Sequence, residues 1–129
     1  MTIYLHETHR VVGTREDDFA ALFRDADGWM ARLAKGADAR LLYFAHQAHG
    51  TGHAYRVTTI TALADGAAWE RLATSLQFGE LHEWLVEVDR CRHQVDAKLL
   101  LPVPWSPMKE LDLDALPTCL LYTSASPRD

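Results

Sequence analysis

Histidine is the side chain best suited to proton transfer or metal binding near neutral pH, and this chain of 129 residues carries seven. Their spacing decides which can act together. His6 and His9 lie three apart in the alternating stretch IYLHETHRVV, so a strand sends them to opposite faces and they cannot share one metal ion. His46, His49 and His53 surround the glycines of QAHGTGH, a hairpin-tip composition that could fold 46 toward 53. No cysteine or carboxylate stands close in sequence to complete a tetrahedral set, so they read as solvated loop residues and no metal is predicted. His6 shares its parity with Tyr4 and Thr8, which places one titratable imidazole beside two hydroxyls. Glu7 falls on the other parity and cannot orient His6 within the strand. No Gly-rich phosphate loop, Gly-x-Ser-x-Gly elbow or Cys-His nucleophile pair occurs, so kinase and hydrolase chemistry find no support.

The elements that must position these residues follow from periodicity. Ile3 to Val12 alternates as a first strand, ended by Gly13. Thr14 with Asp17 three residues later resembles a capping box and predicts a helix from about 15 to 35, striped by Phe19, Leu22, Phe23, Met30 and Leu33, with Gly28 its weak point and Gly36 its end. Arg40 to His46 and Tyr55 to Leu63 read as two further strands. Trp69, Leu72 and Leu76, then Leu81, Trp84, Leu85 and Val88 across Gly79, predict a second helical region over 66–91, bent or in two pieces. His93 to Leu101 is the last strand, stopped by Pro102, Pro104 and Pro107. The order βαββαβ is the ferredoxin-like α+β arrangement: a four-stranded antiparallel sheet with both helical regions on one face and residues 3–8 and 56–62 in the central strands. Strands two and four carry apolar side chains on both parities, Leu41, Leu42, Tyr43 and Phe44 in one and Leu99, Leu100 and Leu101 in the other. The second sheet face therefore needs a cover, most cheaply a second copy of the sheet.

Composition narrows the classes further. The formal charge is −5, from 13 Lys and Arg against 18 Asp and Glu with no basic cluster in the sequence, which argues against a nucleic-acid partner. No apolar run reaches the roughly 20 residues of a membrane span, and the N-terminus lacks the pattern of a signal peptide. The two cysteines, Cys91 and Cys119, form no metal pattern and read as reduced thiols of a cytoplasmic chain.

Three stretches, IYLHETHRVVGTREDDFAALF, ARLLYFAHQAHGTGHAYRVTTITAL and KLLLPVPWSPM, together with the element order, resemble the NIPSNAP-like group of the dimeric α+β barrel superfamily over roughly residues 1–116. The resemblance implies a barrel made of two such sheets, from a homodimer or from a second repeat that this chain has no room for, so that the chain looks like a truncated first half. It divides the chain into a domain over 1–101, a Pro-rich arm and linker over 102–118, and the segment 119–129. In the arm, Trp105 is expected to pack on its own subunit or across the dimer, and Glu110 to Leu116 to lead toward the second repeat. Residues 119–129, CLLYTSASPRD, resemble the in-frame translation of a transposon-type sequencing adapter and are expected to be a non-native tail. In the barrel, Tyr4, His6, Thr8, Tyr43, Phe44, Thr59 and Thr61 would line the space between the sheets. They form a candidate small-molecule site with His6 and Tyr43 as catalytic candidates, or else they pack an interface, which is the favoured reading. Within the superfamily, cofactor-free monooxygenases and haem-degrading enzymes use the same barrel. His82 and Trp84 match residue types of the haem site without its motif, and the apolar stripe accounts for Trp84 better, so no cofactor is predicted and haem is the minority alternative. The expectation is a binding or assembly module, with a cofactor-free or haem-dependent monooxygenase of a small hydrophobic or aromatic molecule as the alternative.

Overall fold

The computed structural model describes residues 1–36 and 38–117. Strand β1 (Ile3–Val11) runs through a 3-10 turn (Gly13–Arg15) into α1 (Glu16–Arg24) and α2 (Trp29–Leu33). A hairpin of β2 (Ala39–His46) and β3 (Arg56–Leu63) follows, then α3 (Gly66–Phe78), α4 (His82–Arg90) and β4 (Arg92–Leu100). The sheet order is β2-β3-β1-β4 with every neighbouring pair antiparallel, which is the ferredoxin-like α+β fold with β1 and β3 in the centre.

The first helical region differs from the continuous helix expected. It breaks at Gly28, where an added Cβ would lie 2.8 Å from the Leu22 carbonyl oxygen, so the chain can turn this tightly only without a side chain. Thr14 does not cap α1; the helix starts one residue beyond Arg15, and Glu16, Asp17 and Asp18 supply negative charge to its first turn instead. The second region divides at Gly79, and Asp65 caps α3 by accepting the Ala68 N–H at 2.8 Å.

The main core lies between the sheet and the helices. Phe19 and Phe23 of α1 meet at 5.0 Å between ring centres, Phe44 reaches Phe23 from β2 at 5.3 Å, and Trp84 of α4 meets Phe23 edge-on at 5.3 Å while stacking on Trp29 at 4.4 Å. Arg40 closes one corner, its Nη1 donating to the carbonyls of Leu33 and Gly36 at the end of α2.

On the helix-free face the chain covers part of its own sheet, which corrects the reading of Glu110 to Leu116 as a departing linker. Thr2 donates its N–H to the Lys109 carbonyl at 2.9 Å, Leu111 donates its N–H to Thr2 Oγ1 at 2.9 Å, and the Tyr4 hydroxyl donates to the Met108 carbonyl at 2.5 Å. Leu113 is buried with Tyr4 and Ala62, and Leu111 and Leu116 pack beside them. This strap is apolar where it touches the sheet and acidic at Glu110, Asp112 and Asp114 where it faces solvent, hence the alternation in its sequence. Leu113→Ala should lower the stability by about 2 kcal/mol, the low end for a buried leucine because the cluster is small, read as a shift of the urea midpoint with faster amide exchange at Leu111. Trp105 is 82% exposed and does not pack on its own chain. The expectation of a non-native tail over 119–129 concerns residues outside those described.

Candidate functional site

Strand pairing arranges the helix-free face in rows across the sheet. The first, Leu100, Tyr4, Ala62 and Arg40, lies at the strap. Below it come Lys98, His6, Ile60 and Tyr43, then Asp96, Thr8, Thr58 and Ala45, and finally Gln94, Arg10 and Arg56. The strap stops short of the lower rows, and an open trough of about 580 Å³ remains there, lined by His6, Thr8, Tyr43, Ala45, Arg56, Thr58 and Ile60, with His46 and Gln47 at the hairpin end. Its shape follows from side-chain size, for Thr8, Thr58 and Ala45 make a low floor between taller neighbours.

Of the seven residues expected to line one cavity, the structure brings His6, Thr8 and Tyr43 together. Tyr4 is on the same face but lies under the strap, where burial pushes its phenol pKa up and the Met108 carbonyl occupies its hydroxyl. Phe44, Thr59 and Thr61 are on the opposite face, a correction to the proposed lining. A bulge between Leu41 and Tyr43 slips β2 by one residue against β3, so Leu42 and Tyr43 avoid the helices while Leu41 and Phe44 both pack toward them. Thr59 and Thr61 share the parity of Val57 and Leu63, beneath the helices, and their hydroxyls are bonded internally. Trp29 Nε1–H donates to Thr61 Oγ1 at 3.0 Å.

Thr59 belongs to a buried polar cluster that the sequence reading passed over. His9 is fully buried on the helix side and touches Phe19 edge-on at 5.0 Å. Arg92 Nη1–H donates to His9 Nδ1 at 2.8 Å, which leaves Nε2–H to donate to Thr59 Oγ1, also at 2.8 Å. Burial and the adjacent Arg92 charge push the His9 pKa down to about 3. Arg92 is itself bonded through Nη2–H to Asp89 at 2.7 Å. Glu7, on the same parity, has its carboxyl pKa raised by burial, partly offset by Arg92. The signal was the shared parity of His9 with Ile3, Leu5 and Val11, the residues that mark the core face of β1. This imidazole is neutral and saturated with partners, a structural group with no proton to trade.

Of His46, His49 and His53, the first lines the hairpin end of the trough and the other two do not. His46 Nδ1 is 3.7 Å from Glu16 of α1, a carboxylate neighbour that chain distance concealed, while His49 and His53 are exposed in the hairpin loop. His82, at the start of α4, donates Nδ1–H to the Leu76 carbonyl at 3.0 Å, and Trp84 spends its Nε1–H on the Leu22 carbonyl at 2.7 Å. The recess beside Trp84 is lined by Leu22, Asp27, Arg32 and Glu83 and not by His82, so this pair does not fit a haem.

These features can be set beside solved structures. A NIPSNAP family protein from Agrobacterium tumefaciens superposes with a TM-score of 0.63 at 16% identity, over 84% of this chain and 99% of that one. An uncharacterized NIPSNAP domain protein from Burkholderia xenovorans gives 0.58 at 21% identity, over 83% and 99%. The chain has the NIPSNAP fold. The same fold extends to SnoaB, a cofactor-independent oxygenase from Streptomyces nogalater, with a TM-score of 0.56 at 15% identity over 82% and 97%. No protein-family model and no curated protein matches the sequence. In this chain the helix-free face of that fold is divided between the strap and the trough. No helix of the described residues is long and apolar enough to cross a membrane.

Proposed function

We propose that this chain is a NIPSNAP-type binding or assembly module of the cytoplasm whose helix-free face is closed by a second copy of itself. The observation that carries the reading is the incomplete cover. Tyr43 of the edge strand β2 is 49% exposed on that face, Leu100 of the opposite edge strand is exposed in its first row, and Val103 and Trp105 are exposed in the arm beyond it. A monomer gains nothing from so much apolar surface in water, whereas a partner sheet removes it. The solved neighbours are nearly spanned by this one chain, which favours a second copy over a second repeat as the cover. Sedimentation velocity on the full chain should show a dimer at micromolar concentration. Tyr43→Lys should shift it toward monomer by tenfold or more in dissociation constant, since a charge buried against a second sheet costs at least about 1.4 kcal/mol. A wild-type chain that stays monomeric at high concentration overturns the assignment.

The second reading is cofactor-free oxidation of a small aromatic molecule in the trough, supported by His6 and Tyr43 occupying one row on either side of Ile60 and by the fold shared with SnoaB. In that chemistry the His6 imidazole would accept a proton from an acidic phenol or enol and Tyr43 would donate a hydrogen bond to the resulting oxyanion. Oxygen uptake with a naphthol that is lost in both His6→Phe and Tyr43→Phe would select it. Absence of uptake in the wild-type chain leaves the assembly role.

A further inference from the structure

We infer that the trough binds an aromatic carboxylate, its charge held by Arg10 and Arg56 and its ring laid toward Tyr43 and Ile60. Arg56 lines the trough, and Arg10 is its direct cross-strand partner in the β1–β3 pairing, on the parity of His6 and Thr8 and beside the lining rather than in it. Directly opposite residues have Cβ atoms about 5 Å apart, so like charges there repel and weaken the pairing. Among the described residues neither guanidinium has a carboxylate within ion-pair distance or a hydrogen-bond acceptor, whereas Arg24, Arg40, Arg71, Arg90 and Arg92 all have one. Both are half-buried, which strengthens the repulsion. Among the described residues, the lower rows of this face thus gather Arg10, Arg56 and Lys98 beside His6 with Asp96 as their one acid and Glu16 at the hairpin end beside His46, although the whole chain carries −5. Separated in sequence, these residues formed no basic run; strand pairing assembles them.

The rest of the trough sets the ligand class. Two guanidiniums side by side offer the planar, forked donors that match a carboxylate. Four residues of extended chain separate Arg56 from Ile60, about 13 Å, and the floor between them is Thr8, Thr58 and Ala45. At the far end, Tyr43 and Ile60 stand opposite one another and give a ring an aromatic and an aliphatic contact. A bicyclic acid is shorter than this distance and bridges it because the long arginine side chains reach in from their end, with the threonine hydroxyls beneath it. Every group comes from one chain, so the inference does not depend on the dimer proposed above.

The test is a titration of the isotopically labelled full chain with 2-naphthoate, followed by amide shifts, with 2-naphthalenemethanol and inorganic phosphate as comparators and sedimentation run on the same samples. Naphthoate should bind saturably, moving the Thr8, Ala45 and Thr58 amides. Arg56→Gln or Arg10→Gln should weaken it tenfold or more, the loss expected for one charge-assisted bond. Arg56→Lys should retain more affinity than Arg56→Gln, and the uncharged alcohol should bind at least tenfold more weakly than the acid. Phosphate should compete weakly, because it fills the charged end and leaves the ring end empty. Since each glutamine variant removes a like-charge pair, neither should lower the melting temperature, so lost binding cannot be assigned to unfolding. Equal binding of acid and alcohol, unchanged affinity in both glutamine variants, shifts confined to other residues, or no saturation with naphthoate overturns the inference. Binding by a chain that sediments as a monomer supports it and removes only the assembly reading.

Discussion

Replacing Trp84 by alanine should destabilise the protein by about 3–5 kcal/mol, the range for truncating a buried large aromatic. The substitution removes the stack on Trp29 and the edge contact with Phe23, and it leaves the Leu22 carbonyl without the Trp84 N–H. α4 touches the sheet mainly beside β4, and Trp84 is the side chain that ties it to α1 and α2 across the core. A domain of this size has about 5–15 kcal/mol in total, so a measurable fraction should be unfolded at 37 °C. Urea titration reads the loss directly. Trp84→Phe keeps an apolar ring and should recover more than half of it, and neither variant should alter naphthoate binding per folded molecule, because the trough lies on the other side of the sheet. Failure of Trp84→Ala to move the urea midpoint would show that α4 is not held as described.

The second large effect is a loss of stability in acid centred on His9. In the folded chain this imidazole stays neutral down to about pH 3, whereas in the unfolded chain it titrates near 6.5. Between those values the unfolded state binds more protons, so the contribution of His9 is complete above about pH 6.5 and is lost progressively as the pH falls toward 3. The full interval corresponds to about 5 kcal/mol, a large part of the total. Glu7 has the opposite sign. Its raised carboxyl pKa gives stability at low pH that disappears as the pH rises through the folded value, which offsets part of the His9 slope just above the normal glutamate range. Urea unfolding at pH 7, 6, 5 and 4 should therefore show a steady decline, and the His9 ring resonances should not titrate above pH 4 in the folded protein. His9→Gln keeps a donor for Thr59 and an acceptor for Arg92 and should flatten the decline. An equally steep slope in that variant would place its origin elsewhere.

The fold could be read from the sequence because each element carries its own period. The parity of Ile3, Leu5 and Val11 marks the core face of β1, and Gly79 shows where the second helical region divides. The site was readable only in part. Tyr4, His6 and Thr8 share one face because β1 alternates without interruption from Ile3 to Arg10, but in β2 the Leu41–Tyr43 bulge changes which side chains face inward, and an apolar run such as LLYFA contains no mark of an inserted residue. Thr59 and Thr61 misled because threonine suits either face of a sheet; only the donors above them, His9 and Trp29, reveal which face they serve. Arg10 and Arg56 are 46 positions apart, and their opposition exists only in the register of two strands.

β4 ends the sheet on one side, and its outer edge has no neighbouring strand among the described residues. From Ala97 to Leu101 that edge reads Ala-Lys-Leu-Leu-Leu, a segment close in length and character to those that stack without limit into fibrils. Whereas the face-to-face contact proposed above would be satisfied once two copies had met, strand-to-strand addition at an open edge has no such endpoint. Lys98 supplies the one charge in the segment, and Pro102 prevents the ladder from extending past Leu101. These two residues act as gatekeepers against open-ended addition at that edge.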